Sequence, residues 1–383
     1  MKTKWSWEAI VVSMLIAVCG YMLGCEPNEI AQVVNEAIPT GNQGFPASPY
    51  PGTGAPPQGY PGQGVAPPSA GQMGGQTVPL PGQSPGQFVS NRPPEFAGAG
   101  LPPRNGQTIL IASFNIQTLG KSKISKPGMA EKLAEIIRQF DIVAIQEIRD
   151  RDQETLPILQ RFVNATGVRY DYLISQPLGR TVSKEQYAYL YNTATIVGSP
   201  DATYIVDDAE KDYLHREPYV ARFLTRVPPN YRPFSFTLVN IHTDPDEVAQ
   251  EIPVMHTVLK SIREFEYRSA GEDDVLLLGD LNAEPRQFGE LGRVPDIYWV
   301  IDREPTNTRR TKIYDNILFD RMTSSEFTGR AGVLDLNQMF GLRTEQALEI
   351  SDHLPVWAEF YVTEQPYGSS GRVAAGDGGL GMR

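Results

Sequence analysis

Between residues 107 and 362 the chain repeatedly lays down a short, almost uninterrupted apolar run and ends it on an amide, a carboxylate or an imidazole. Residues 109–114 (ILIASF) lead into Asn115, and residues 141–148 (DIVAIQEI) carry Glu147 next to their end. Residues 234–241 (FSFTLVNI) are followed by His242, and residues 275–279 (VLLLG) by Asp280 and Asn282. Asp315 stands inside residues 314–319 (YDNILF), while Asp352 and His353 precede residues 356–362. Apolar runs of roughly four to eight residues mark strands covered on both faces. Residues 185–191 alternate less cleanly but are aromatic and strand-prone. Residues 129–140 (MAEKLAEIIRQF) repeat their apolar positions at helical spacing, and residues 246–268 read as a long helix whose true start Pro253 could mark. Strands and helices mix without strict alternation, which predicts an α/β (α+β) domain of two sheets packed on each other with helices outside.

The flanks have a different composition. Gly and Pro make up roughly 40% of residues 26–106, beyond the level at which a segment reads as low complexity. Such a stretch cannot bury enough apolar surface to offset chain entropy, so it is expected to be a disordered tether. Residues 363–383 are expected to form a disordered tail. Lys2 and Lys4 followed by an apolar run over residues 9–18 read as an export signal in residues 1–25. Met22-Leu23-Gly24-Cys25 resembles a bacterial lipobox, with Met22 where Leu is usual, and makes Cys25 the candidate lipidated residue. An ordinary signal peptide or an uncleaved anchor is the alternative. The expectation is an exported protein, held at the cell envelope through a lipid anchor in the membrane or secreted. Both cysteines, Cys19 and Cys25, lie in this segment, so the folded part must be stable without disulfides in an oxidising compartment.

Of the formal net charge of −11, about ten units fall in residues 107–362, and a basic footprint for nucleic acid is absent. That opposes tight DNA binding but not brief contact, because a bound divalent metal adds positive charge locally. Singly, each strand-end residue has a structural explanation: GDLN can be a turn, Asn115 can satisfy a loop, SDHLP can cap a helix, and His242 alone can be structural. Together they are harder to explain, since buried carboxylates are unfavourable without compensation. Asp, Glu and Asn oxygens are hard ligands suited to Mg²⁺ or Mn²⁺. Zn²⁺ would call for more His or Cys than this domain offers. Two of the four histidines stand beside spare carboxylates, as metal-assisted phosphodiester hydrolysis requires. There is no Gly-x-Ser-x-Gly elbow and no phosphate-binding Gly-x-x-x-x-Gly-Lys motif.

The ordered set SFNIQ, IQE, NIHT, GDLNAE, YDNILF and SDHLPV resembles the endonuclease/exonuclease/phosphatase superfamily, and within it the deoxyribonuclease I branch. The branch is further resembled in QEIRD, KEQYAYLY, HREPYVARF and LRTEQALEISDHLPV, which with the rest cover nearly all of residues 107–362. The resemblance implies a four-layer sandwich with the active site at one edge of two packed mixed sheets. It implies that Glu147 is the main metal-binding carboxylate with Asn115 beside it, and that Asp352 is a metal-side carboxylate. Asp280 and Asn282 match the pair that handles the attacking water and the phosphate, with Asp280 also a metal ligand. His353 with Asp315, and His242 with Glu185, match the two catalytic histidines and their orienting carboxylates. Which imidazole is acid and which is base stays open, as does a structural Ca²⁺. Arg216 matches an arginine at the phosphate or DNA surface, Arg149 a minor-groove arginine, and Asn115 and Asn282 also line the substrate side. Two positions depart from the pattern. Gln117 stands where the family has an arginine, and Ser183 where it has a stacking tyrosine; both weaken the expected grip on double-stranded DNA.

Three functions follow for testing. The first is a divalent-metal-dependent endonuclease that touches DNA transiently with little sequence preference. The second is a lipid phosphodiesterase or phosphatase of the same superfamily, which a membrane tether would suit. The third is a non-catalytic envelope module that binds a partner. No protein partner can be inferred from the sequence.

Overall fold

The computed structural model describes residues 100–207 and 212–365; the expected signal segment with Cys25, nearly all of the tether and the tail beyond residue 365 lie outside the described residues. Among the described residues the first strand is β1 (Thr108–Leu119) and the last is β12 (Val356–Tyr361). One six-stranded sheet has the order β11-β12-β1-β2-β4-β3, where β2 is Ile142–Ile148, β3 Tyr170–Ile174, β4 Gln186–Asn192 and β11 Phe327–Val333. The other has the order β5-β6-β7-β8-β10-β9, with β5 Ile196–Ile205, β6 Tyr219–Thr225, β7 Ser235–His242, β8 Val275–Asp280, β9 Ile297–Trp299 and β10 Asp315–Asp320. Six helices accompany them among the described residues: α1 (Lys121–Ile124), α2 (Met129–Ile137), α3 (Thr155–Asn164), α4 (Val248–Ala270), α5 (Leu336–Phe340) and α6 (Thr344–Ala347). None is long and apolar enough to cross a membrane.

The apolar runs are continuous because both strand faces are buried. In β1 the alternation splits one run between two cores. Ile109 and Ile111 point between the sheets, whereas Leu110, Ala112 and Phe114 point to the helical side. There they meet Leu133, Ile136 and Leu159 of α2 and α3. The middle core is aromatic, with Tyr189, Phe223, Phe236 and Phe360 fully buried. On the far side Ile252, Leu259 and Ile262 of α4 cover Val239 and Leu277. The order is therefore helix, sheet, sheet, helix, which is the expected four-layer sandwich.

Pro253 does not begin the long helix. It is the sixth residue of α4, where its missing N–H forfeits one main-chain bond near the amino-terminal end. The buried Glu251, two residues earlier, anchors this end by accepting from the backbone N–H groups of His215 (2.5 Å) and Asp244 (2.6 Å).

Each sheet contains one parallel pair, β1 with β2 and β7 with β8. Their carboxy-terminal ends meet the starts of the antiparallel strands β4 and β10 at one rim. Polar residues that are far apart in sequence gather there.

Candidate active site

Sheet register builds half the site. His242 is opposite Asp280 in the parallel β7–β8 pair, and Asp280 is opposite Asp315 in the antiparallel β8–β10 pair. Three strands thus put an imidazole and two carboxylates on one row. Gly279 makes the row possible. Its φ is +151°, and a Cβ there would lie 1.9 Å from the carbonyl oxygen of Ile241. The other sheet supplies Asn115 near the end of β1, Glu147 near the end of β2 and Glu185 just before β4. His353 comes from the loop before β12, where its backbone bridges to Asn307 and its N–H donates to Ser351 Oγ (3.1 Å).

The two imidazoles have matching surroundings. His242 Nδ1 is 2.9 Å from Glu185 Oε2, and His353 Nδ1 is 2.9 Å from Asp315 Oδ2. Their Nε2 atoms face the same Asp280 oxygen, at 3.6 Å and 3.4 Å. Asn115 is fully buried and donates its amide to Glu147 Oε1 (3.0 Å) and Asp280 Oδ2 (3.1 Å). Glu147 also accepts from the Thr118 N–H (2.9 Å). Asn282 donates its backbone N–H to Asp280 Oδ1 and its side chain to the Thr243 carbonyl, both at 2.9 Å. Four non-glycine residues at these strand ends have left-handed φ: Gln117 (22°), Thr118 (54°), Glu147 (60°) and Asn282 (47°). Strain of this kind persists only where surrounding contacts enforce it, and it concentrates at functional sites.

Burial alone would push the Glu185 carboxyl up. The hydrogen bond and charge of His242, with the charges of Arg216 and Arg149, outweigh it and hold Glu185 at about 2. For His353 burial opposes protonation, yet Asp315, Asp280 and Asp352 raise the imidazole well above its usual range. Burial pushes Asp315 up, against the pull of His353.

The donor set fits a hard divalent cation. Asp280, Asp315 and His353 each offer a ligand atom within 4.8 Å of the others, and the Asp315 Oδ1 and Asp352 Oδ1 atoms are buried with no hydrogen-bond partner. Glu147 shares the Asn115 amide with Asp280. Asn115 itself acts here as a donor rather than an oxygen ligand, since its carbonyl oxygen accepts from the Gln117 N–H (2.9 Å). Asp352 is peripheral, 43% exposed, with Oδ1 3.9 Å from His353 Nε2.

The two arginines differ from each other. Arg216 is buried rather than at the surface, with its guanidinium donating to the carbonyls of His242 (3.0 Å) and Thr243 (3.2 Å) and 3.5 Å from Glu185. It braces the end of β7. Arg149 is 36% exposed and paired with Glu185 at 2.6 Å, with Ser183 Oγ at 3.3 Å. Several supporting residues escaped the sequence reading. Thr306 donates to Asp315 Oδ2 (2.7 Å), and Tyr187 Oη accepts from the His242 N–H (2.9 Å). Lys123 is buried and donates to the carbonyls of Ile116 (3.1 Å) and Ile350 (2.8 Å); burial lowers its ammonium to about 8. Gln146 and Asn240 bond each other across the sheets at 2.6 Å. For that pair a signal existed, since an amide inside an apolar run needs a partner. Thr306 and Lys123 sit in segments with no such pattern.

Residues 112–353 match the model of the Endonuclease/Exonuclease/phosphatase family. Bovine Deoxyribonuclease-1 is 32% identical over 267 residues, spanning 66% of this chain and 92% of the relative. Rat Deoxyribonuclease gamma is 30% identical, over 65% of this chain and 83% of the relative. Deoxyribonuclease-1-like 1 of Chlorocebus aethiops is 34% identical, over 67% of this chain and 86% of the relative.

Proposed function

The chain belongs to the endonuclease/exonuclease/phosphatase family, and from that premise we propose that it is a divalent-metal-dependent endonuclease that cleaves DNA with little sequence preference. The observation that carries this reading is the pair of carboxylate-backed imidazoles whose Nε2 atoms face one oxygen of Asp280. The relatives named above are deoxyribonucleases, which supports DNA as the substrate.

A divalent cation such as Mg²⁺ or Mn²⁺, held by Glu147 and Asp280 with Asp352 at the margin, would neutralise charge that builds on the phosphate. The other roles belong to side chains. Asp280 and Asn282 orient the attacking water and the phosphate. Glu185 fixes the His242 tautomer and leaves Nε2 free to accept a proton. His353, favoured as an imidazolium by its carboxylates, delivers a proton toward the leaving oxygen or holds the phosphate charge. Each such transfer is worth about 10²–10⁴-fold in rate. Arg149 reaches the minor groove of DNA by giving up its Glu185 contact. Export, and a lipid on Cys25 that tethers the domain to a membrane, complete the reading.

The test is incubation of the purified protein with supercoiled plasmid and Mg²⁺. Nicking is expected, and it should disappear with chelator and in His353→Ala. Sphingomyelin or phosphoinositide turnover with intact plasmid would move the activity to lipid. Hydrolysis of neither would favour a binding module. Fatty-acid labelling should tag wild type and not Cys25→Ser; unlabelled wild type removes the anchor.

A further inference from the structure

Two stretches of the candidate site lack a continuous strand ladder. The β1–β2 pairing runs to Asn115 opposite Gln146 and resumes only at Leu119 opposite Ile148, and Gln117 and Thr118 in the gap have left-handed φ. Asp352 and His353 lie between α6 and β12. Hydroxyl side chains hold part of that second stretch. Ser351 Oγ donates to the Asn115 carbonyl (2.7 Å), and Thr308 Oγ1 donates to the Ser351 carbonyl (2.7 Å).

A lysine makes the next tie. Lys123 Nζ donates to the carbonyl of Ile116, which follows Asn115, at 3.1 Å, and to the carbonyl of Ile350, two residues before Asp352, at 2.8 Å. The turn that carries it is fixed as well. The Gly120 carbonyl accepts from the Lys123 N–H (3.0 Å), and Gly120 lies so close to the end of β2 that a Cβ on it would sit 2.5 Å from the Arg149 carbonyl oxygen. One side chain thus joins the ends of β1 and β2 to the loop that carries His353.

The stability of the fold does not call for an ammonium here. Lys123 is 7% exposed, and among the described residues it has no carboxylate within ion-pair distance, whereas Lys121 pairs with Asp152 and Glu154 at the surface. A buried cation without an ion-pair partner is unfavourable, and an apolar side chain would fill much of the same space. Burial lowers the ammonium to about 8, and the charges of Asp352 and Glu147 favour its protonated form. A charge kept against its own desolvation beside reacting groups points to function rather than packing.

On the nuclease reading above, we propose that Lys123 is a positioning residue for the reaction, a clamp that fixes the loop of Asp352 and His353 against the end of β1. It touches neither substrate nor a reacting atom. The carbonyls it holds adjoin groups whose placement decides the geometry. Asn115, next to Ile116, bridges Glu147 and Asp280 with its amide, and His353, three residues after Ile350, brings Nε2 to 3.4 Å from Asp280. A displacement of about an ångström in such an arrangement costs about 100-fold in rate. The loss falls on kcat, because the clamp holds reacting groups and not the DNA-contacting Arg149.

The experiment compares full-length wild type, Lys123→Met, Lys123→Arg and Leu133→Ala. The last removes packing from the helical-side core without touching the clamp. Plasmid nicking with Mg²⁺ is measured well below each melting temperature, and amide hydrogen exchange of the metal-free proteins is followed by mass spectrometry. Lys123→Met keeps most of the stem and loses both donors. It should lower kcat about 10- to 100-fold with KM within about twofold of wild type, and speed exchange in residues 114–119 and 350–354. Lys123→Arg, which can still donate to carbonyls, should recover most of kcat. Leu133→Ala, although less stable, should keep kcat within about twofold and keep the protection of both segments. Should Lys123→Met fail to fold, Lys123→Gln, neutral and one atom shorter, decides by the same loss of kcat and protection. Wild-type kcat in the Lys123 variant, or an equal loss in Leu133→Ala, overturns the clamp and leaves the nuclease reading standing; a wild type that nicks no plasmid removes both.

Discussion

Arg149 is the residue whose two readings separate most cleanly. Its guanidinium lies 2.6 Å from Glu185, whose other oxygen holds His242. If positioning dominates, Arg149→Ala lowers kcat and leaves the salt dependence of KM unchanged. If DNA contact dominates, KM rises and the slope of log affinity against log salt falls by about 0.9. We expect the kcat effect to be the larger, because the guanidinium must first give up the buried Glu185 carboxylate to reach DNA. Glu185 also makes a pH prediction. Its folded value, about 2, lies below its ordinary value of 4.5. The stabilisation it contributes is therefore complete above about pH 4.5 and is lost as pH falls toward 2. Urea unfolding of wild type and Glu185→Gln should give a gap that is constant from pH 5 to 7 and closes over that acid window. A gap that persists unchanged at pH 2.5 would contradict the assigned ion pair.

Among the elements, those with apolar runs on both faces were legible in sequence, because burial writes itself into composition. The strands β5 and β11 were not. β5 (IVGSPDATYI) is largely half-buried or exposed and carries Gly198 and Pro200, and β11 (FTGRAGV) buries only its first residue and Gly332. α3 hid behind Pro157, which is tolerated near a helix start where N–H groups lack partners anyway. The site followed the same logic. Glu147, His242, Asp280, Asp315 and His353 were legible as polar ends of buried runs, whereas the inward turn of Arg216 and the contact of Thr306 with Asp315 depend on loop paths that no local pattern encodes. Gly279 was visible only as the G of GDLN, yet it sets how closely β8 can approach β7. Gly279→Ala would place a methyl group on the Ile241 carbonyl and force a left-handed φ on a residue with a side chain. We expect a loss of at least about 3 kcal/mol or failure to fold, measured by chemical denaturation and soluble yield. A variant within about 1 kcal/mol of wild type would mean that the strand pair relaxes more easily than its packing implies.

For the whole molecule, the candidate site exists only because the two sheets hold one relative position. Asn115, Glu147, Glu185 and His353 come from one sheet or its loops, and His242, Asp280 and Asp315 from the other. Their mutual distances of 2.9–3.6 Å would not survive a slide of an ångström or two between the layers. The aromatic middle core resists separation, but dispersion contacts are non-directional and do not by themselves fix register. Directional bonds across the layers do. Asn240 in β7 bonds Gln146 and also donates to the carbonyls of Ile145 (3.2 Å) and Ala188 (3.3 Å) in the opposite sheet. It lies two residues before His242 on the same strand. Replacing it with leucine removes these three bonds and leaves the Gln146 amide only Ser113 Oγ (3.2 Å) and the Ala144 carbonyl (3.4 Å), at a cost of about 2–4 kcal/mol. Phe236→Leu, in the same strand and the same interlayer core, should cost a similar amount by loss of packing. The two variants should then part in function. Assayed well below their melting temperatures, Asn240→Leu should lose roughly tenfold in kcat while Phe236→Leu stays within about twofold of wild type. Equal kcat in the two would mean that packing alone keeps the sheets aligned and that the buried amide pair serves stability only.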